Sequence, residues 1–210
     1  MVKVAKKVRL MGLAALGLVT GLLVSQLITA QAAEDGWVAL FNGKDLTGWT
    51  ASEKGDFKAE EGMIVVRGKR AHLFTDKEFK NFDFKCEIMT EPGSNSGFFI
   101  HTKPEETWPS NGYEVQVNCS HRDPVRNGSI YNVVKNYDPI AKDNEWYKFE
   151  VIVKGKNIVT KINDKVVVDY TEPEGVTGTR KLSKGAFAIQ AHDDKSIVKY
   201  RNLMVKELPE

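Results

Sequence analysis

From Trp37 onward apolar and polar residues alternate with a period of two, broken by short clusters of Gly, Pro, Asn and Asp. A residue that alternates faces at every step is a strand residue, so the pattern predicts strands joined by turns. Lys80–Thr90 sets Phe82, Phe84, Cys86 and Ile88 against Asp83, Lys85 and Glu87. Glu145–Lys154 carries Tyr147, Phe149, Val151 and Val153 on one face, then turns at Gly155-Lys156 into Ile158–Ile162. Asn163-Asp164-Lys165 turns that segment into Val166–Tyr170, which makes a three-strand meander. Phe57–Glu60 and Met63–Arg67 straddle Glu61-Gly62 and predict a hairpin. Further strands are predicted at Val38–Phe41, His72–Thr75, Asn95–Thr102, Asn111–Asn118, Gly185–His192 and Ile197–Leu208, with a short extended segment over Gly128–Val134. Asn42–Trp49 and Thr171–Leu182 are predicted loops. No stretch after Trp37 has helical periodicity. Many short strands with regular turns predict an all-β sandwich or jelly roll in one domain, residues 33–210.

Three strands add a second pattern. In Asn111–Asn118, Tyr113, Val115 and Val117 share one face while Glu114, Gln116 and Asn118 share the other. Taken alone, that polar row is equally a solvated face or the lining of a groove. Asn95–His101 sets Ser96, Phe98 and Ile100 against Asn95, Gly97, Phe99 and His101. Gly185–His192 sets Phe187, Ile189 and Ala191 against Ala186, Ala188, Gln190 and His192. The agreement of all three points to a concave groove. Small residues leave room for a ligand, and amides and carboxylates match sugar hydroxyls as donors and acceptors. Trp108, Tyr113 and Tyr131 could stack on sugar rings.

Charge and the N-terminal segment narrow the class. Lys3, Lys6, Lys7 and Arg9 precede an apolar run from Leu10 to Val24, and Ala30-Gln31-Ala32 has the small-x-small form of a signal peptidase site. The segment reads as a signal peptide, 1–32, cleaved after Ala32. An uncleaved anchor is the rival, because Leu10–Ile28 approaches the ~20 residues of a membrane span, but Gly12, Gly17, Gly21, Ser25 and Gln26 favour cleavage. The expectation is therefore an exported, periplasmic or extracellular protein without a stable membrane anchor. Of the 30 basic residues four lie in that segment, so 26 face 28 acidic ones in the rest, a net charge of −2. No basic patch remains to suggest nucleic acid. Cys86 and Cys119 both fall on the apolar parity of their strands. Export permits a disulfide, but buried thiols explain the parity as well, and free thiols are the expectation.

Ordinary retaining glycosidases need two carboxylates at defined separation. Glu-x-Asp-x-x-Glu strands supply them in comparable sandwiches, but here the strand offers only Glu114, with Gln116 and Asn118. No Gly-x-Ser-x-Gly signals a serine nucleophile. Asp193-Asp194 reads either as a metal ligand pair or as a solvated turn.

Phe41-Asn-Gly-Lys-Asp-Leu-Thr-Gly-Trp49, Asn95-Ser-Gly97, Gly112-Tyr-Glu-Val-Gln116, Ile130-Tyr131, Glu145-Trp146, Gln190-Ala-His192 and Tyr200-Arg-Asn-Leu203 together resemble the 3-keto-disaccharide hydrolase family, also described as a 3-keto-glucoside lyase and hydratase domain. The resemblance runs from about Trp37 to Leu208. It implies a concanavalin-like jelly-roll β-sandwich and a substrate, a 3-keto-disaccharide or other 3-keto-glycoside, oxidised at C3 of a glucosyl unit. A C3 ketone acidifies the C2 proton, so one base suffices: the C1 leaving group departs by elimination, and water can add back. On this reading Glu114 is the base, with His192 as acid or enolate partner and His101 as the runner-up. Members of the family often carry Arg where His101 stands, which argues against a role there that needs permanent charge. Asn95, Gln116 and Gln190 are expected to bind substrate hydroxyls, with Tyr131 and Trp108 stacking. A divalent metal bound by Glu114 and a histidine could stabilise the enolate. The alternatives are a lectin-like binding module, which the same groove would serve, and a conventional glucan hydrolase, which the single carboxylate disfavours.

Overall fold

The structure, a computed structural model, describes residues 35–52 and 55–210. The segment read as a signal peptide, residues 1–32, lies outside the described residues. From Val38 to Glu210 the chain is one unit. Among the described residues the thirteen strands are β1 (Val38–Ala39), β2 (Trp49–Ala51), β3 (Asp56–Glu60), β4 (Met63–Arg67), β5 (Ala71–Phe79), β6 (Phe82–Thr90), β7 (Ser96–Thr102), β8 (Tyr113–Val117), β9 (Tyr147–Lys154), β10 (Asn157–Ile162), β11 (Lys165–Thr171), β12 (Gly185–Ala191) and β13 (Val198–Glu207). They form two antiparallel sheets. The larger runs β11-β10-β9-β6-β13-β4-β3 with β1 paired to β13, and the smaller runs β2-β5-β12-β7-β8. No helix among the described residues is long and apolar enough to cross a membrane.

The inward parity of each sheet builds the core between them. From the larger sheet come Phe82, Phe84, Ile88, Phe149, Val151 and Val153, and from the smaller Phe98, Ile100, Val115, Val117, Phe187 and Ile189. Phe84 stacks on Phe98 across the layers at 4.2 Å, and Phe79 stacks on Phe187 within the smaller sheet at 4.4 Å. Cys86 and Cys119 are both buried, free thiols, as the parity predicted.

The two sheets treat their outer faces differently. β6 and β9 alternate buried with half-exposed or exposed residues, the signature of one solvated face. β7, β8 and β12 are buried at every position, so the far face of the smaller sheet is covered as well. Part of that face is a second apolar cluster of Phe74, Phe99, Ala186 and Ala188. Of the polar residues singled out by parity, Glu114, Gln116 and Gln190 lie on this face with them.

Three expectations need correction. Trp49–Ala51 is a strand, not the end of a loop: Trp49 is buried, and its indole N–H donates to the Leu40 carbonyl at 2.7 Å. The short strand at His72–Thr75 extends from Ala71 to Phe79, because β12 pairs again with Glu78 and Phe79 beyond a register shift. Gly128–Val134, expected as a short extended segment, is extended only at Ile130, in single bridges to Val115 and Val134, with a tight turn between Ile130 and Val134.

Candidate active site

β8 is followed by Asn118, whose side chain folds the next loop. Its amide donates to the carbonyls of Asp123 and Val125, and its oxygen accepts the His121 amide. That loop, the 130–134 turn and the loop carrying Trp108 surround a cavity of about 410 Å3. Glu114, Gln116, Asn95, His192, Tyr131 and Trp108 all line it. The cavity therefore brings together six of the eight residues that sequence parity and resemblance singled out.

Glu114 is 8 % exposed and accepts no side-chain hydrogen bond among the described residues. Burial pushes its carboxyl up to about 8, against the pull of Arg180 and with a smaller push from Asp123. The space for this side chain comes from Gly97 on the neighbouring strand. A Cβ at Gly97 would lie 2.3 Å from the Glu114 Oε1. Small residues on this face were expected to leave room for a ligand; part of the room at Gly97 is taken by the Glu114 side chain.

A hydrogen-bonded chain runs along the wall. Gln116 Nε2 donates to Asn95 Oδ1 at 2.5 Å. Asn95 Nδ2 lies 3.3 Å from both His192 Nε2 and His121 Nδ1. His192 Nδ1 is 2.8 Å from Asp193 Oδ2. Asp193 also caps its own turn, accepting the Lys195 and Ser196 amides. Burial works to raise its carboxyl, but the hydrogen bonds from His192, Lys195 and Ser196 hold it below the usual range. Burial, and next the adjacent His192, lower the His121 pKa.

His121, His192 and Asp193 each present a ligand atom, all within 4.8 Å of one another, and this cluster can coordinate a divalent metal. Two imidazoles and a carboxylate suit such a cation. The cluster does not include Glu114, which the sequence reading had paired with a histidine as ligands. One feature opposes loading: the Asp123 amide donates to His121 Nδ1 at 3.1 Å. A neutral ring accepting there carries its proton on Nε2, the nitrogen nearer Asp193.

Two expected residues do not join the lining. His101 is displaced by a bulge: Phe99 pairs with Ala188 and Thr102 with Ala186, so β7 has one extra residue. His101 takes that step with φ of 54°. Its ring then turns to the core side, edge-on to Phe82 at 5.7 Å, with Nε2 2.8 Å from the Lys80 carbonyl and Nδ1 accepting the Ser183 amide. Both nitrogens are committed to loops, and the strict alternation that put His101 in the groove fails at this residue. Gln190 keeps the expected face, beside His72 on β5, but it is fully buried outside the lining. Its amide nitrogen and oxygen find no hydrogen-bond partner among the described residues. Arg201 lies on the larger sheet, paired with Glu87 at 2.8 Å and stacked over Trp146.

Sequence reasoning missed Arg180, Asp123 and His121. All three sit in loops, where side-chain direction has no period to read. Trp108, which it did include, lies edge-on to His72 at 5.7 Å and 6.4 Å from His192, with the Arg70 guanidinium over its ring.

Residues 36–206 match the family described as the 3-keto-alpha-glucoside-1,2-lyase-like domain. Among solved structures, a candidate glycosyl hydrolase of Parabacteroides distasonis aligns with a TM-score of 0.73 at 23 % identity, over 85 % of this chain and 97 % of its own. A Bacillus subtilis protein with a galectin-like fold aligns at 0.61 with 13 % identity, covering 81 % and 94 %. The carbohydrate-binding module CBM66 of Bacillus subtilis aligns at 0.59 with 15 % identity, covering 76 % and 96 %. These likenesses show the fold: an all-β sandwich of the jelly-roll and galectin-like kind. No curated protein matches the chain by sequence.

Proposed function

The chain belongs to the 3-keto-alpha-glucoside-1,2-lyase-like family, and from that premise we propose that it cleaves 3-keto-glycosides, including 3-keto-disaccharides, by removing the C2 proton. The observation that carries this reading is Glu114: a carboxyl facing a sugar-sized cavity, buried, without a protein hydrogen bond, and tuned to about 8. A group poised near the working pH both takes and returns protons well.

In the proposed reaction the Glu114 carboxylate takes the proton from C2 of the oxidised sugar. The C–H electrons form the enolate of the C3 ketone. The enolate re-forms the ketone and a C1–C2 double bond as the C1–O bond breaks, and the departing oxygen takes a proton. Water adding at C1, with a proton returned to C2, completes a net hydrolysis. Asn95 and Gln116 are hydrogen-bonding groups for the sugar hydroxyls, and Trp108 is a stacking face. His192 is the group for the developing charge or the leaving oxygen. A divalent cation on the His121, His192 and Asp193 cluster would supply positive charge for an enolate oxygen.

Export to the periplasm or the extracellular space fits the N-terminal pattern. The test is incubation of the purified protein with a 3-keto-disaccharide, following release of the free sugar. Turnover by wild type with a loss of ~10²–10⁴-fold in Glu114→Gln supports the reading. A carbohydrate-binding module, the role named for one of the structural neighbours, would show no turnover and would keep its affinity in Glu114→Gln.

A further inference from the structure

Among the described residues six large apolar side chains are exposed, and three of them, Trp108, Tyr131 and Val133, line the one cavity that holds Glu114. Trp108 belongs to the side of His72 and His192. Tyr131 and Val133 stand together elsewhere, each 40 % exposed, on the turn that follows buried Ile130. Such exposure is ordinary for a lone residue. Two neighbours flanking one turn and facing one cavity are a surface in their own right.

The turn is built to hold that surface still. The Ile130 amide donates to the Val134 carbonyl at 2.9 Å, and the Val133 amide returns to the Ile130 carbonyl at 2.9 Å. Asn132 takes the left-handed conformation, φ 60°, that closes so short a turn. Ile130 anchors it in the core. The Tyr131 amide donates to the Glu114 carbonyl at 2.9 Å, so the platform is tied directly to the residue carrying the base.

The cavity is thus unequal. Asn95, Gln116 and His192 form a connected set of donors and acceptors, whereas the 131–133 turn offers a ring, an isopropyl group and the Asn132 amide. The lining also carries Arg180 and Asp123, but neither the face of the Tyr131 ring nor the Val133 isopropyl group offers the hydroxyls of a second sugar the partners they lose from water. A flat apolar group would lose nothing polar and would cover both side chains.

We infer that Tyr131 and Val133 form the subsite for the leaving group, and that it takes an aromatic or arylalkyl aglycone in preference to a second sugar. The inference rests on the reading of the cavity as a 3-keto-glycoside site, with the oxidised ring against Asn95, Gln116 and Trp108.

The test is equilibrium binding to Glu114→Gln protein, so that the result does not depend on turnover. The ligands are 2-phenylethyl 3-keto-glucoside and a 3-keto-disaccharide, both of which would leave as alcohols. The expected result is binding of the phenylethyl glycoside about tenfold tighter. Adding Tyr131→Ser or Val133→Ser, exposed positions that leave the core untouched, should shrink that preference to about threefold or less, because the phenylethyl glycoside loses more affinity than the disaccharide. Equal or tighter binding of the disaccharide would overturn the inference. So would an equal loss for both ligands in the Ser variants, or no measurable binding of either. Preference in binding with no turnover by wild type would remove the proposed reaction and leave the subsite standing. Turnover without the preference would do the reverse.

Discussion

Glu114 owes its chemistry to what surrounds it. A carboxyl held at about 8 is about one-tenth ionised at pH 7, so kcat/KM for a 3-keto-glycoside should climb close to tenfold per pH unit up to about pH 8 and then level. A profile flat from pH 5 to 8 would remove Glu114 as the base. The same shift acts on stability. Ordinary glutamate loses its proton near 4.5, whereas the native Glu114 keeps it to about 8. Between those values the folded state binds more protons than the unfolded one, so this residue costs stability as pH rises. Glu114→Gln should therefore gain little at pH 4.5 and on the order of 1–4 kcal/mol by pH 8, read from denaturant melts at both. Gly97→Ala tests the space: the added methyl would meet Glu114 Oε1, Cδ and Cγ within 2.9 Å, so turnover should fall ~10-fold or more and the melting temperature should drop with it. Parity could place Glu114, Gln116, Asn95 and His192 because strands have a period. It failed at His101, where a bulge and a positive φ change the face, and no residue type in that strand announces the bulge.

Among the elements, strand alternation was legible where one face meets water. β6, β9 and β10 were readable because most of their outward positions are charged or polar. β2 was hidden because three residues behind a turn carry too short a pattern. Asp83 on β6 shows the cost of packing acids on that outer face. Burial, and then the neighbouring Glu150, push its carboxyl up to about 6 from 3.8. The protonated form is the one the fold prefers, so ionisation removes stability as pH rises through that window. Asp83→Asn should raise stability at pH 7.5 by about 1 kcal/mol, discounted for solvent screening, and by little at pH 4. Equal effects at both pH values would refute the assignment. Gly112 limits the other sheet. It enters β8 with φ of 68°, and a Cβ there would lie 1.9 Å from the Ile100 carbonyl oxygen. Gly112→Ala should cost more than ~2 kcal/mol in a urea melt, through both the clash and the backbone strain.

At the scale of the molecule, two sheets with different outer faces divide the labour. The larger sheet meets solvent, while the smaller is buried on one side by the shared core and on the other beneath loops that make the cavity. The sandwich was legible from periodicity, and the family resemblance from ordered short motifs. The loop contributions of Arg180, Asp123 and His121 were not, because they are set by tertiary packing and by Asn118 hydrogen bonds rather than by any local repeat. The fold alone serves binding modules and hydrolases alike. What separates them here is whether the C2 proton moves. The most direct measurement uses a 3-keto-disaccharide carrying deuterium at C2. The account predicts that wild-type protein releases the free sugar, that the deuterium is lost to water, and that Glu114→Gln abolishes both. Sugar release with deuterium still at C2, or undiminished release by Glu114→Gln, would contradict it.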